Sequence, residues 1–147
     1  MLYNVVGDAV QDKQYSIFCQ LVACSGKIEN GFSQKIRNAY PEVYNAFLDE
    51  YEHRKQGLGN NLYVRTSDNR VCVSMYCQYD YGNGAHVDVG GLAMCLEKME
   101  NKLNISRPEL KVGFPKIDNE DWELVESMLE TLSEKVKQEI YIVYDGV

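Results

Sequence analysis

Runs of β-branched and aromatic residues alternate with helix-period segments along the whole of this 147-residue chain, and that order constrains the fold more than any other feature. Leu2 to Val6 and Ser16 to Ala23 predict strands, separated by the turn-rich stretch from Gly7-Asp8 to Gln14. Phe32, Ile36, Ala39 and Tyr40 have helical spacing. Pro41 interrupts that helix because it has no amide hydrogen to donate, and Val43, Phe47, Leu48 and Tyr51 resume the spacing toward Lys55. Leu62 to Thr66 and Arg70 to Gln78 predict two further strands around a hairpin-type turn, Ser67-Asp68-Asn69, while the glycine-containing stretch Tyr79 to Ala85 predicts a loop. Val87 to Leu103 predicts a long helix with Leu92, Cys95, Leu96 and Met99 on one face. Leu110 to Phe114 predicts a strand closed by Pro115. Asp121 to Lys137 predicts a helix with Trp122, Val125, Leu129, Leu132 and Val136 on one face, and Ile140 to Tyr144 a last strand.

Interleaved strands and helices predict an α/β fold, three layers deep, with a central mixed, mostly parallel sheet and helices on both faces. No repeat, low-complexity tract or linker divides residues 1–147, so one domain is expected. In open sheets of this kind ligands sit outside the carboxyl ends of the strands. The loops at those ends are Gly7-Asp8, Cys24 to Gly31, Gln78 to Ala85 and Ile117 to Asp121.

Charge and cysteine usage narrow the chemistry. Fifteen Lys and Arg against 22 Asp and Glu give a net charge of −7, which argues against direct DNA or RNA binding, since that needs a basic face. A nucleotide held by backbone amides stays open, and so does a basic protein partner. No apolar run reaches the roughly 20 residues of a membrane span, and the start of the chain has neither the basic region nor the apolar stretch of a signal peptide. A cytoplasmic protein is expected. Cys19, Cys24, Cys72, Cys77 and Cys95 form no Cys-x-x-Cys pair and read as reduced thiols. His53 and His86 lack metal-ligand spacing, so neither a metal nor a cofactor is expected.

Four anchors along the chain carry a resemblance. They are Gly7-Asp8 after the first strand; Gly26-x-Ile28-x-x-Gly31 running into Ile36-Arg37-x-x-Tyr40-Pro41; Val73-Ser74-Met75-x-x-Gln78 with Tyr81-Gly82; and Phe114-Pro115-x-Ile117 before Asp121-Trp122-x-x-Val125. In this order the sequence resembles the macro domain family, which binds ADP-ribose and related NAD-derived nucleotides. It is most similar to small stand-alone members that process ADP-ribose 1″-phosphate or remove ADP-ribose from proteins. The resemblance spans nearly the whole chain and implies a macro-like α/β/α domain.

The resemblance implies that Asp8 accepts a hydrogen bond from the adenine amino group while the amide of Ala9 reads a ring nitrogen. The competing reading is that Gly7-Asp8 only makes a turn. Gly26, Ile28, Asn30, Gly31 and Phe32 match the segment that wraps the distal ribose and diphosphate, with Gln78, Tyr81 and Ile117 completing the pocket. Aromatic rings at Tyr76, Tyr79 and Tyr81 could stack on a base or pack on the next helix.

Two loops depart from the family pattern. Glu29 replaces a usual glycine, and next to a diphosphate its carboxylate costs roughly a kcal/mol or more; it either points outward or closes the site. Only Asp118, Asn119 and Glu120 separate Ile117 from Asp121, where the family usually has a long glycine-rich phosphate loop. The favoured local reading is that Asp118 and Asn119 cap the next helix. The small polar or acidic residues that assist catalysis before the second loop are replaced by Val22 and Ala23, and no lysine lies between Lys55 and Lys98.

The expected function is therefore binding of ADP-ribose or a related NAD-derived nucleotide, with little or no hydrolysis. A second reading is a macro-like domain that has lost the nucleotide and binds a basic protein through its acidic surface. A third is a hydrolase of ADP-ribose esters or 1″-phosphate, for which Asp118 and Asp121 are the candidate catalytic acids or bases. On the binding reading Asp8→Ala is expected to abolish affinity with hardly any change in stability.

Overall fold

A computed structural model describes residues 1–24, 31–53, 57–80, 85–116 and 121–144. Along the chain these form β1 (Leu2–Val6), β2 (Tyr15–Ala23), α1 (Gly31–Ala39), α2 (Pro41–His53), β3 (Asn61–Arg65), β4 (Val71–Asp80), β5 (Ala85–Val87), α3 (Val89–Asn104), β6 (Lys111–Pro115), α4 (Trp122–Lys135) and β7 (Glu139–Tyr144). The strands make one sheet in the order β1-β7-β6-β2-β4-β3, and β5 also pairs with β4. All pairings from β1 to β4 are parallel, while β3 and β5 run antiparallel along the outer edge of β4. The fold is thus α/β with a mixed, mostly parallel sheet. Among the described residues no helix is long and apolar enough to cross a membrane.

The period-2 rule of strands sorts the side chains onto two faces. Cys19 and Leu21 of β2, Val73, Met75 and Cys77 of β4, and Ile140 and Ile142 of β7 pack with Leu92, Cys95, Leu96 and Met99 of α3 and Val125, Leu129 and Leu132 of α4. On the other face Phe18 and Cys72 pack with Ile36 of α1 and Val43 of α2. Val22 and Tyr76 pack with Phe47 further along that face. Burial on both faces explains why β2 and β4 read as near-continuous apolar runs.

Most element boundaries differ from the sequence reading by a residue or two, and one region differs in kind. The stretch Tyr79 to Ala85 is not all loop: β4 continues to Asp80, and Gln78, Tyr79 and Asp80 pair with Val87, His86 and Ala85. Val87 is consequently strand. Asp88 then caps α3, its Oδ2 accepting from the Gly91 amide at 2.8 Å. Pro41 breaks the helix as expected and opens α2, where its missing amide hydrogen has no cost.

Candidate functional site

The chain leaves β2 for α1 on one face of the sheet and leaves the neighbouring β6 for α4 on the other. That divergence is the switch point at which open α/β sheets form a crevice beyond their strand ends. Residues 25–30 and 117–120 follow these two strands. Gly26, Ile28, Glu29, Asn30, Ile117 and Asp118 therefore lie outside the described residues, as do Tyr81 and Gly82.

Asp8 stands at this end of the sheet. The Gly7 amide extends the β1 ladder by donating to the Tyr144 carbonyl at 2.8 Å. Asp8 then turns the chain: its Oδ1 accepts from the Val10 amide at 2.9 Å and the Gln11 amide at 3.4 Å. Its Oδ2 points elsewhere, 3.6 Å from the Lys35 ammonium of α1. The turn reading of Gly7-Asp8 is therefore seen directly, with one oxygen making the turn and the other paired with Lys35. A consequence is that Asp8→Ala removes a cap and costs about 1 kcal/mol of stability. Asp8→Asn keeps the acceptor for the turn and is the cleaner probe of Oδ2.

The crevice holds about 270 Å³ and is lined by Asp8, Phe32, Lys35, Pro115, Lys116 and Tyr144, with the buried Ala9 behind them. Lys116 lies 5.5 Å from the centroid of the Tyr144 ring, a cation–π approach. Lys35 and Lys116 stand with the Asp8 carboxylate along the crevice, so its described charged groups sum to a net positive charge although the chain as a whole is acidic.

What holds the Asp8 turn in place is Arg70, which sits at 4% exposure just before β4. Its guanidinium donates to the carbonyls of Tyr15 (2.8 Å), Val10 (2.9 Å), Ala9 (2.6 Å) and Asp12 (3.2 Å) and to the Tyr40 hydroxyl (2.9 Å). It also lies 4.2 Å from the Phe18 ring centroid. Tyr40 in turn donates to Asp68 Oδ2 at 2.6 Å, and Lys13 donates to both at 2.7 and 2.8 Å. Burial pushes the Asp68 carboxyl up, but hydrogen bonds from Lys13, Thr66 and Tyr40 outweigh it and hold the group well below the usual carboxylate range. Gly113 completes the seat: a Cβ there would lie 3.1 Å from the Tyr15 ring and 3.4 Å from Ala9 Cβ. A side chain at 113 would push the Tyr15 ring and Ala9 outward by a few tenths of an ångström, so glycine gives the returning loop its closest approach to β6.

The other sequence-selected residues are more dispersed. Gln78 is buried in β4 between Ala23 of β2 and Val87 of β5. Tyr76 is buried and stacks on Phe47 with centroids 5.9 Å apart, so at this position the ring packs on a helix. Asp121 precedes α4, makes no side-chain cap to it, and accepts from the Val87 amide at 3.3 Å instead. The proposed caps Asp118 and Asn119 lie outside the described residues. All five cysteines are free; burial pushes the Cys95 thiol up to about 11 and raises those of Cys19, Cys72 and Cys77 well above the ordinary thiol value, which leaves them in the thiol form.

Sequence reasoning missed Arg70, Lys35 and Lys116. A charged residue abutting the apolar run Val71 to Cys77 was the available signal for Arg70, because a charge so placed must find internal partners. Lys35 and Lys116 carried none, since each reads as an ordinary surface lysine.

No protein-family model matches the sequence. No curated protein matches it at a significant level. Solved structures do match in fold. A macrodomain protein from Streptomyces coelicolor superposes with a TM-score of 0.83 at 18% identity, covering 100% of both chains. The macrodomain of Mycobacterium tuberculosis DarG superposes with a TM-score of 0.79 at 17% identity, covering 100% of this chain and 99% of that one. Thermosipho africanus DarTG, solved in complex with ADP-ribose, superposes with a TM-score of 0.73 at 15% identity, covering 97% of this chain and 42% of that one. The chain has the macro domain fold.

Proposed function

We propose that this chain binds ADP-ribose or a related NAD-derived nucleotide in the crevice at Asp8, with little or no hydrolysis. The observation that carries the reading is the split use of the Asp8 carboxylate. Oδ1 is committed to the turn, which leaves Oδ2 oriented and able to accept from an exocyclic amine. The Ala9 amide would read the adjacent ring nitrogen, on a backbone that Arg70 keeps fixed. Lys35 and Lys116 supply positive charge for a diphosphate, and Phe32 and Tyr144 flank it. The similarity in fold to a DarTG structure in complex with ADP-ribose supports the same ligand class. Gly26, Ile28, Asn30 and Gly31 would wrap the distal ribose, closed by Gln78, Tyr81 and Ile117.

Catalysis needs a positioned acid or base beside an activated water. Of the two candidates, Asp121 is already engaged by the Val87 amide, which counts against hydrolysis.

Thermal unfolding with and without ADP-ribose tests the reading. A ligand that binds only the native state at about 100 times its Kd adds roughly 2.7 kcal/mol, or about 5–10 °C in Tm for a domain of this size. The shift is expected to vanish in Asp8→Asn, whose own Tm stays near that of the parent. No shift in the parent chain would overturn the proposal. Turnover of ADP-ribose 1″-phosphate or of a protein-linked ester, lost in Asp118→Ala or Asp121→Ala, would replace binding with hydrolysis.

A further inference from the structure

The sheet has a second crevice at the end opposite Asp8. There β2 and β4 begin, β3 ends, and the last turns of α3 pass over them. A cavity of about 610 Å³ lies between these elements, against about 270 Å³ for the crevice at Asp8. Its size falls within the range of small-molecule sites, about 300–1,000 Å³. The half-buried Ile17, Tyr63, Val71 and Leu110 give the cavity an apolar side, backed by the fully buried Val73, Met99 and Leu103. The rim carries Arg65, Lys102 and Arg107, and no carboxylate is among the described residues that line it. Such a lining is unexpected in a chain of net charge −7.

The helix end accounts for one of these cations only. Lys102 stands in the last turn of α3, where a positive charge complements the helix dipole. Arg65 comes from β3 on the opposite wall, so no helix end explains it. None of the three is neutralised inside the cavity. Arg65 donates to the amide oxygen of Asn69 at 2.9 Å, and Lys102 lies 4.3 Å from the Tyr63 ring centroid. Arg107 approaches Glu109 at 3.7 Å, but both side chains are largely exposed, where such a pair is weak. Two carbonyls of the last turn of α3, those of Lys102 and Leu103, and that of Arg107 beyond it are occupied. Gln138 donates to the carbonyls of Leu103 and Arg107 at 2.7 and 3.1 Å, and the Ser106 hydroxyl donates to that of Lys102 at 2.6 Å.

We propose that this cavity binds a small organic anion with an aromatic or aliphatic body. The body lies on Ile17, Val71 and Leu110 against the Tyr63 ring, and a phosphate or carboxylate head is met by Arg65, Lys102 and Arg107. Two guanidinium forks favour a head group that accepts paired hydrogen bonds. An organic body is favoured over a bare inorganic ion because it also covers the half-buried Ile17, Val71 and Leu110. The site stands apart from the Asp8 crevice and does not depend on what binds there.

Titration of the ¹⁵N-labelled chain with 1-naphthyl phosphate, 1-naphthoate and 1-naphthol tests the proposal. The amides of Ser16, Ile17, Ser106, Arg107 and Leu110 are expected to shift with one or both anions, while those of Gly7, Asp8 and Ala9 stay in place. Whether phosphate, carboxylate or both bind identifies the head group. The double substitution Arg65→Gln, Arg107→Gln changes exposed residues and is expected to leave the spectrum of the free protein intact. It should weaken anion binding on the order of tenfold or more, and added salt should weaken it in the parent chain. Absence of shifts, shifts confined to Gly7 to Ala9, equal binding of 1-naphthol, or an unaffected double variant would each overturn the proposal.

Discussion

The two faces of the sheet are built from the same strands, yet they are stabilised by different chemistry. Beneath α3 and α4 one continuous apolar cluster runs from Val87 at one end to Leu103 and Val136 at the other. Beneath α1 and α2 the apolar contacts fall into two groups, one around Phe18 and Cys72 and the other around Val22 and Tyr76. Between them, in register, Gln20 donates to the Ser74 hydroxyl at 2.8 Å, both side chains buried. At the edge of this face lies the Arg70 guanidinium with its carbonyl and hydroxyl acceptors. Burial of apolar area stabilises whatever compact arrangement fills the space, whereas a guanidinium with five directed hydrogen bonds specifies one. The Arg70 bonds occur on the face that carries the Asp8 turn, where backbone position matters most; on the other face directed bonds are fewer, from Gln138 to the Leu103 carbonyl and from Asn61 to the Cys95 carbonyl of α3. The other face supplies bulk stability.

The largest test of this contrast is Arg70→Met, which keeps most of the volume and removes every donor. The carbonyls of Ala9, Val10, Asp12 and Tyr15 then lose their buried partner. A loss of about 3–5 kcal/mol is expected, seen as a lower urea midpoint at constant m-value. Any nucleotide-induced rise in Tm should disappear with it. Leu129→Ala, on the hydrocarbon face, is expected to cost about 2–5 kcal/mol by transfer and cavity terms. Here the nucleotide-induced shift should persist, because α4 contributes no described group to the crevice. Equal effects of the two substitutions on ligand response would break the division of labour between the faces.

The intermediate case is the Gln20–Ser74 pair. Gln20→Leu alone leaves the Ser74 hydroxyl buried without that partner and should cost about 1–3 kcal/mol. Gln20→Leu with Ser74→Ala removes both polar groups, and its urea midpoint should return to within about 1 kcal/mol of the parent. Failure of the second substitution to compensate would show that the pair does more than satisfy itself.

How much of this was legible follows from the range over which each feature acts. Strand and helix periodicity is local, so β1, β2, α3 and α4 were readable within a residue or two from Leu2 to Val6, from Ser16 to Ala23 and from the spacing of Leu92 and Leu129. The end of β4 was not, because Gly82 and Gly84 in sequence suggest a turn, while pairing of Gln78 to Asp80 with Ala85 to Val87 decides the conformation. Asp8 was legible as a short carboxylate at a strand end. Arg70 was not, since its acceptors among residues 9–15 lie 55 to 61 positions away. Lys35 and Lys116 come from a helix and a strand end that only the sheet order brings together.

The smallest expected effect sharpens the same comparison through pH. Asp68 is the carboxylate end of the chain Arg70, Tyr40, Asp68, and its carboxyl is held below its ordinary value mainly by Lys13, Thr66 and Tyr40, against the opposing effect of burial. A carboxyl depressed in the folded state contributes stability that is fully present above its unfolded pKa of about 3.9 and is lost as pH falls through the folded value. The side chain is 33% exposed and the Lys13 partner 60%, so solvent screening keeps this contribution under about 1 kcal/mol. Urea midpoints of the parent and of Asp68→Asn should therefore differ modestly at pH 7 and converge as the pH is lowered below 4. The hydrocarbon face offers no titrating carboxylate among its packed residues, so Leu129→Ala should run parallel to the parent across the same range. If Asp68→Asn also ran parallel, the carboxylate would be irrelevant to the order of the Arg70 network, and the fixed position of the Asp8 turn would rest on Arg70 and Tyr40 alone.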